Sequence, residues 1–235
     1  MDDEIDFKIY KKIVLNEKIK NFVNYKKIII CNDERTALIA GSNNKNRIII
    51  ICGTGTNCYG INEEGIEAKT NGWDYIFGDE GSGYAIGLDG INACISAFDG
   101  RGEKTLLNKI ILMELKMKNE VALSRWVYKK PFSKKKISSI AKFVEQAAEK
   151  KDKKCIKIYE DNAEEVVISV SVIVKKLNLD NKHFDLVLSG GLFRCKKYFQ
   201  DIITERLSKK FKNIKFIQLE KKPVEGAIKL AIENF

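Results

Sequence analysis

A run of four isoleucines at 48–51 ends directly in the glycine-rich stretch 53–57. Such a run, bounded by glycines, predicts a buried strand followed by a tight turn. Segments with strand-like composition resume after this turn and again after a second turn at 63–65. The pattern therefore predicts an antiparallel meander of three strands, at 47–52, 58–62 and 66–70.

Apolar residues at helical spacing predict most of the other elements. Before the meander we expect an amphipathic helix within 6–25, broken near Asn16, then a short buried strand at 27–31 and a helix at 35–40. After the meander we expect helices at 81–98, 105–116, 123–128, 136–149, 153–177, 196–211 and 224–234, with strands at 184–188 and 215–219. Three antiparallel strands, helices, a strand, a helix and a strand form the order of a ribonuclease-H-like α/β unit.

The turn after the isoleucine run has the composition of a phosphate-binding loop. Gly53, Thr54, Gly55 and Thr56 are small residues that leave backbone N–H groups accessible. A strand follows this turn, whereas a helix follows the glycine loop of a Walker or Rossmann site. A phosphate-binding hairpin of this kind is the mark of the actin-like, sugar-kinase and chaperone ATPases.

Charge and cysteine content narrow the possible functions. The formal charge of +10 favours anionic ligands such as nucleotides. The lysines are spread over helical faces without clustered aromatic residues, which argues against nucleic acid. The six cysteines form no Cys-x-x-Cys pair and are expected to be reduced, and His183 is the sole histidine, in a loop-like segment. With no membrane-spanning run and an acidic N-terminus, we expect a cytoplasmic protein.

Asp33 has two interpretations on this evidence. It stands where the N-cap of the next helix belongs, so capping would explain it. It also follows a predicted strand, at the edge where ligands approach an α/β sheet. The residue pattern leaves both open.

Several short motifs together resemble the BadF/BadG/BcrA/BcrD-type ATPase family, and within it the bacterial N-acetylglucosamine kinases. The motifs are Cys31-Asn32-Asp33, Gly53-Thr54-Gly55-Thr56-Asn57, Asn71-Gly72-Trp73, Gly78-Asp79-Glu80-Gly81-Ser82-Gly83, Asp99-Gly100-Arg101-Gly102, Leu188-Ser189-Gly190-Gly191 and Pro223-Val224-Glu225-Gly226-Ala227. Each motif is individually weak, but their order along nearly the whole chain makes the resemblance specific.

The resemblance implies a role for each matching residue. Asp33 would be the catalytic base for a sugar hydroxyl. Gly53, Thr54 and Gly55 would bind the nucleotide phosphates, with Gly190 and Gly191 on the adenosine side. Asn57, Trp73, Asp79 and Glu80 would bind the sugar. Trp73 could instead be a core residue and Glu80 could hold the loop, while a helix-capping role of Asp79 would be compatible with sugar binding. Gly226 and Ala227 would be structural.

The same resemblance implies ATP and Mg²⁺ as cofactors, an amino sugar as the small-molecule substrate, and no nucleic acid or membrane partner. No residue of this chain is assigned to a metal, and family analogy allows a homodimer. The implied activity is phosphoryl transfer from ATP to an amino-sugar hydroxyl, with N-acetylglucosamine as the expected substrate.

The family pattern begins with a first phosphate loop, Asp-Gly-Gly-Gly-Thr-like, that has no counterpart in this sequence. We therefore expect three regions: 1–45 as the remnant of an N-terminal ribonuclease-H-like domain, 46–221 as a complete C-terminal one, and 222–235 as a helix packing back on the N-terminal part. We also expect this chain to need the missing loop for activity.

Two alternative functions stay open. The chain could be a non-catalytic nucleotide- or sugar-binding remnant. It could also be an iron–sulfur ATPase activator of a 2-hydroxyacyl-CoA dehydratase, which needs cysteines placed to bridge a dimer axis.

Overall fold

The computed structural model of the protein describes residues 4–14 and 28–234. Within these residues, five strands form a mixed sheet in the order β3-β2-β1-β4-β5. The antiparallel pairs are β1–β2 and β2–β3, and the parallel pairs are β1–β4 and β4–β5. The strands are β1 (Arg47–Cys52), β2 (Thr56–Ile61), β3 (Glu67–Asn71), β4 (Phe184–Ser189) and β5 (Ile214–Gln218). The predicted meander and the order of the later strands are confirmed.

Helices cover both faces of this sheet. The described residues form ten α-helices in all. They are α1 (Glu4–Val14), α2 (Asp33–Gly41), α3 (Gly83–Phe98), α4 (Leu107–Glu114), α5 (Glu120–Tyr128), α6 (Lys134–Ser138), α7 (Ala141–Glu149), α8 (Lys153–Lys176), α9 (Asp201–Lys210) and α10 (Pro223–Glu233). A 3₁₀ turn at Gly191–Arg194 and a π-helical turn at Lys196–Gln200 connect β4 to α9.

The isoleucine run is continuous because β1 is buried on both faces. Ile48 and Ile50 belong to the larger core, which α3, α4, α7 and α8 cover. Ile49 belongs to a smaller cluster on the other face, with Ala37 and Leu38 of α2. Successive side chains of a strand point to opposite faces, so a strand between two helical layers has no polar alternation.

Three expected elements differ in the structure. The strand expected at 27–31 is wrong over its described part, because residues 28–31 pair with no other described strand and are not buried. A strand needs a neighbour for its backbone hydrogen bonds. The helix expected at 136–149 is two helices, α6 and α7, separated by a tight turn in which the Ile140 amide donates to the Ile137 carbonyl at 3.0 Å. The helix expected at 196–211 begins as the π-helical turn.

At the N-terminus, α1 covers the first part of the helix expected within 6–25. Residues 15–27, including the expected break near Asn16 and the first residue of the expected 27–31 strand, lie outside the described residues.

Candidate active site

Two glycine turns meet at one edge of the sheet. β1 ends at Cys52 and β4 at Ser189, and the two strands are parallel neighbours, so the turns that follow them leave the same edge. Gly190 has φ +105°, and a Cβ on it would lie 2.2 Å from the carbonyl oxygen of Cys52. Only glycine fits this contact without strain. The structure thus brings the Gly53–Gly55 turn and the Gly190-Gly191 turn together.

Helix α3 holds the first of these turns from behind. The Gly83 amide donates to the Gly53 carbonyl at 2.8 Å, and the Tyr84 amide donates to the Thr54 carbonyl at 3.1 Å. In a trans peptide the N–H points opposite to the C=O, so the amides of Thr54 and Gly55 point away from α3. Neither amide has an acceptor within the described residues. Two free N–H groups on an exposed turn are suited to bind a phosphate.

Asp79 supports the other side of the same turn. Its carboxylate is buried, with 7% of the residue exposed, and accepts a hydrogen bond from the Thr56 amide at 3.1 Å. A Cβ on Gly55 would lie 2.8 Å from Asp79 Oδ1, so this position must stay small. Burial raises the pKa of the Asp79 carboxyl, and the Thr56 amide offsets part of that rise. The cap interpretation is wrong: the N-cap of α3 is Ser82, whose side chain accepts from the Ala85 amide.

Asp33 is the first residue of α2, and the N-cap position belongs to Asn32. The capping interpretation of Asp33 is therefore wrong as well. Asp33 is exposed, and within the described residues its carboxylate has no hydrogen-bond or ion-pair partner. A free, accessible carboxylate can accept a proton from a bound hydroxyl.

Asn57 lies on β2, directly after the phosphate-type turn, and reaches a residue that sequence reasoning missed. Its side-chain amide donates to Oε1 of Glu34, and Lys69 Nζ of β3 approaches the same oxygen at 2.7 Å. Glu34 is buried, with 4% of the residue exposed. The sequence feature that could have identified Glu34 is its position directly after Asp33. An acidic residue in the first turn of a helix is usually explained by its favourable interaction with the helix dipole, so this position did not stand out.

Trp73 borders a cleft of about 700 Å³, together with Asn32, Lys69 and Asn71. The core interpretation of Trp73 is wrong, because 54% of the residue is exposed. Glu80 is exposed as well. The two side chains flank Gly78, since a Cβ on this glycine would lie 3.7 Å from the Trp73 side chain and 3.5 Å from Glu80 Oε2. Trp73 and Glu80 therefore both lie around Gly78 on the surface, whereas the carboxylate of Asp79 is buried against the glycine turn.

The Asp99-Gly100-Arg101-Gly102 motif does not join this site. It follows the last residue of α3, whose sixteen residues place it roughly 24 Å from the glycine turn at the first end. There it borders a separate cleft of about 930 Å³ between α3 and α8, which is larger than the cleft beside Trp73. Size alone is therefore a poor guide to the site in this molecule.

Five of the six cysteines are buried in the core, and Cys31 is partly buried. Burial raises the pKa of the Cys58, Cys94, Cys155 and Cys195 thiols to about 12. Thiols in such surroundings do not readily form the thiolates that metals bind. Among residues 4–14 and 28–234, no three carboxylate, thiol or imidazole groups cluster closely enough to hold a metal ion.

A sequence model of the BadF/BadG/BcrA/BcrD ATPase family matches residues 2–231. The chain belongs to this family. Two curated relatives support the assignment. An N-acetylmuramic acid/N-acetylglucosamine kinase from Clostridium acetobutylicum is 36% identical over 220 residues, which cover 94% of this chain and 72% of the relative. An N-acetyl-D-glucosamine kinase from Dictyostelium discoideum is 31% identical over 237 residues, covering 100% of this chain and 73% of the relative.

Solved structures agree on the fold of this BadF/BadG-type chain. A protein from Chromobacterium violaceum, provisionally named an N-acetylglucosamine kinase, superposes with a TM-score of 0.71 at 20% identity, over 91% of this chain and 70% of that one. A ROK family glucokinase from Streptomyces griseus, solved with glucose and AMPPNP, gives 0.54 at 14% identity, over 93% and 72%. The expected actin-like, ribonuclease-H-like α/β class is confirmed. In the part of the chain that the structure describes, none of the helices is long and apolar enough to span a membrane.

Proposed function

We propose that this protein transfers the terminal phosphoryl group of ATP to a hydroxyl of an amino sugar, with N-acetylglucosamine as substrate. The observation that carries the proposal is the pair of free amides, Thr54 and Gly55, on a turn that begins directly after Cys52, the residue that Gly190 approaches at the same sheet edge. Two neighbouring glycine turns can bind the phosphates and the nucleoside of one nucleotide. The names of both curated relatives support the choice of an amino sugar.

The residues around the turns divide into three roles in this proposal. Gly53, Thr54 and Gly55 bind the phosphates through backbone amides, and Gly190 and Gly191 let the nucleoside lie against the backbone. Asn57, Trp73, Asp79 and Glu80 bind the sugar from β2 and from the loop before α3. Asp33 accepts the proton of the attacking hydroxyl, which phosphoryl transfer requires to orient its nucleophile.

ATP supplies the phosphoryl group, and Mg²⁺ neutralises charge on its phosphates. Kinase sites commonly hold Mg²⁺ through substrate phosphates with one or two carboxylates. Five of the six cysteines are buried and Cys31 is partly buried, whereas a cluster that bridges two subunits needs cysteines at a shared surface, so the positions of the thiols support a kinase over the iron–sulfur activator.

The deciding assay is sugar-dependent release of ADP by the purified chain with Mg-ATP and N-acetylglucosamine. Sugar-dependent turnover supports the proposal, and binding of both ligands without turnover favours the remnant. The assay also tests the expected need for a first phosphate loop, through a second version of the chain extended upstream in frame. N-Acetylmuramic acid and glucosamine are the substrates to compare.

Asp33→Asn tests the proposed base in whichever version turns over. We expect kcat to fall roughly 10²–10⁴-fold, the usual contribution of a general base. Sugar affinity, measured by isothermal titration calorimetry, should stay nearly constant because Asn keeps the size and hydrogen-bonding capacity of Asp. Glu64→Gln, which removes an exposed carboxylate from the β2–β3 turn, is the control. Wild-type kcat in Asp33→Asn would contradict the assignment.

A further inference from the structure

Contacts of Glu34 with two strands fix the first turn of α2. Its N-cap residue, Asn32, makes no side-chain capping hydrogen bond to the helix. Helices usually rely on such a cap to satisfy their first free amides. Here the first turn is tied to the sheet instead: Glu34 reaches Asn57 on β2 and Lys69 on β3.

The contact also fixes the orientation of the Asn57 side chain. An ionised carboxylate only accepts hydrogen bonds, so the amide nitrogen of Asn57 must face Glu34 and its carbonyl oxygen must face away. Lys69, with 22% of its side chain exposed, supplies the compensating charge at 2.7 Å from Glu34 Oε1. A buried carboxylate is stable in this position because it is both paired and hydrogen-bonded.

The network leaves two acceptors unused. Oε2 of Glu34 and Oδ1 of Asn57 are both buried, and neither has a hydrogen-bond partner within the described residues. A buried polar atom without a partner calls for an explanation in a folded protein, and a catalytic or binding role is one of the explanations that apply.

A second ion pair at the same junction provides a contrast. Arg35 of α2 pairs with Glu67 of β3 at 3.0 Å, but its side chains are 32% and 41% exposed. Neither residue contacts Asn57 by a hydrogen bond. The two pairs join the same helix to the same strand, and only the Glu34 pair also reaches a proposed sugar residue.

We infer that Glu34 is a positioning residue that holds the base Asp33 and the sugar-binding Asn57 at a fixed separation, with Lys69 as its counter-ion. The inference rests on the proposed function for its catalytic consequence. Asp33 has no side-chain partner of its own among the described residues, so its place is set by the helix turn that Glu34 anchors. A displacement of about 1 Å in such a constellation can cost roughly 10²-fold in rate.

The kinetic test compares Glu34→Ala, Glu34→Gln and Glu67→Gln with the wild-type chain. We expect Glu34→Ala to lower kcat roughly 10–100-fold through misplacement of the base, with the KM for ATP unchanged because the phosphate turn is separate. Glu34→Gln should recover part of the loss, since its amide oxygen still accepts from Asn57. Glu67→Gln should match the wild type. Equal kcat in Glu34→Ala and Glu67→Gln would overturn the inference.

A second readout does not depend on turnover. In ¹H–¹⁵N NMR spectra of the ligand-free chain, the Asn57 side-chain amide should show slow exchange and a carboxylate-bonded shift. We expect Glu34→Ala to abolish both signatures and Glu67→Gln to keep them. Persistence of the signatures in Glu34→Ala would overturn the inference. If the wild type shows the signatures but no sugar-dependent turnover, the proposed function fails while the placement of Asn57 by Glu34 stands.

Discussion

Asp79 combines an energetic cost with a place in the candidate site. It is buried beside the glycine turn, and the Thr56 amide compensates for only part of the lost hydration, so its pKa is raised. A buried carboxylate with no full charge partner is more common where function requires it than where it does not. Asp79 therefore costs stability and places a carboxylate beside the glycine turn, where the proposed function uses it to bind the sugar.

The stability cost of the Asp79 carboxylate should appear as a pH-dependent difference in melting temperature between Asp79→Asn and the wild type. Asn still accepts from the Thr56 amide but carries no charge. Below the ordinary Asp pKa of about 3.9, the Asp79 carboxyl is neutral in both the folded and the unfolded protein. As the pH rises from there through the raised pKa of the folded state, the wild type loses stability, because the unfolded state ionises more readily. We expect the melting temperature of Asp79→Asn, relative to the wild type, to increase between pH 3.5 and pH 7 and sugar affinity to fall.

Asp180→Asn, at an exposed carboxyl, controls for the substitution itself. A melting-temperature difference between Asp79→Asn and the wild type that stays constant or falls from pH 3.5 to pH 7 would contradict the prediction.

Single residues also show where sequence reasoning stops. The family resemblance assigned chemistry to residues 33, 57 and 79. Local sequence gave Asp33 and Asp79 a capping alternative, which the structure excludes because Asn32 and Ser82 hold the N-cap positions. Glu34 was missed because its partners are 23 and 35 residues away in sequence. Contacts between a helix and two strands follow from tertiary structure, and no local pattern encodes them.

The two glycine turns belong together as one element of the site, although 137 residues separate Gly53 from Gly190 in the sequence. Gly190 combines a positive φ with a close approach to Cys52, while Gly191 has neither, and nothing lies within 4 Å of its Cβ position. Alanine substitutions at Gly190 and Gly191 therefore compare a constrained and an unconstrained position within one turn.

We expect Gly190→Ala to destabilise the protein by at least about 1–3 kcal/mol, since the Cβ would overlap the Cys52 carbonyl, and to weaken ATP binding by shifting the neighbouring turn. Gly191→Ala should change stability little. Urea unfolding followed by circular dichroism measures the first effect, and calorimetric titration with an ATP analogue the second. Similar behaviour of the two variants would contradict the close approach of Gly190 to Cys52.

Elements with a clear period were predictable, and elements defined by packing were not. The β1–β3 meander and α8 follow from local composition and spacing. The interruption between α6 and α7 has no proline or glycine to announce it; Ile137 and Ile140 are both buried there, and the chain tightens to place both in the core. The strand expected at 27–31 had the right composition, but strand structure requires a partner that composition does not supply.

At the scale of the whole molecule, the sheet separates a large helical layer from a small one. The small layer consists of α2 and α10, which cross in close contact: a Cβ on Gly226 would lie 1.8 Å from the Thr36 carbonyl oxygen. Lys229 of α10 adds a hydrogen bond from its ammonium to the Ile39 carbonyl at 3.1 Å. Because α2 begins with Asp33, the C-terminal helix and the proposed base are mechanically linked.

Gly226→Ala tests this link, because the expected change in stability is opposite in sign to the change that helix propensity predicts. Alanine stabilises a helix interior by about 1 kcal/mol relative to glycine, yet here the added methyl must push α10 away from α2. We expect a net loss of stability together with a lower kcat, because Asp33 moves with α2. The neighbouring residue Ala227 is exposed, so Ala227→Gly should lose only the propensity contribution and keep the wild-type kcat. A Gly226→Ala variant that is more stable and fully active would mean that α10 does not constrain the base, and the position of Asp33 would then depend on the contacts of Glu34 with the sheet.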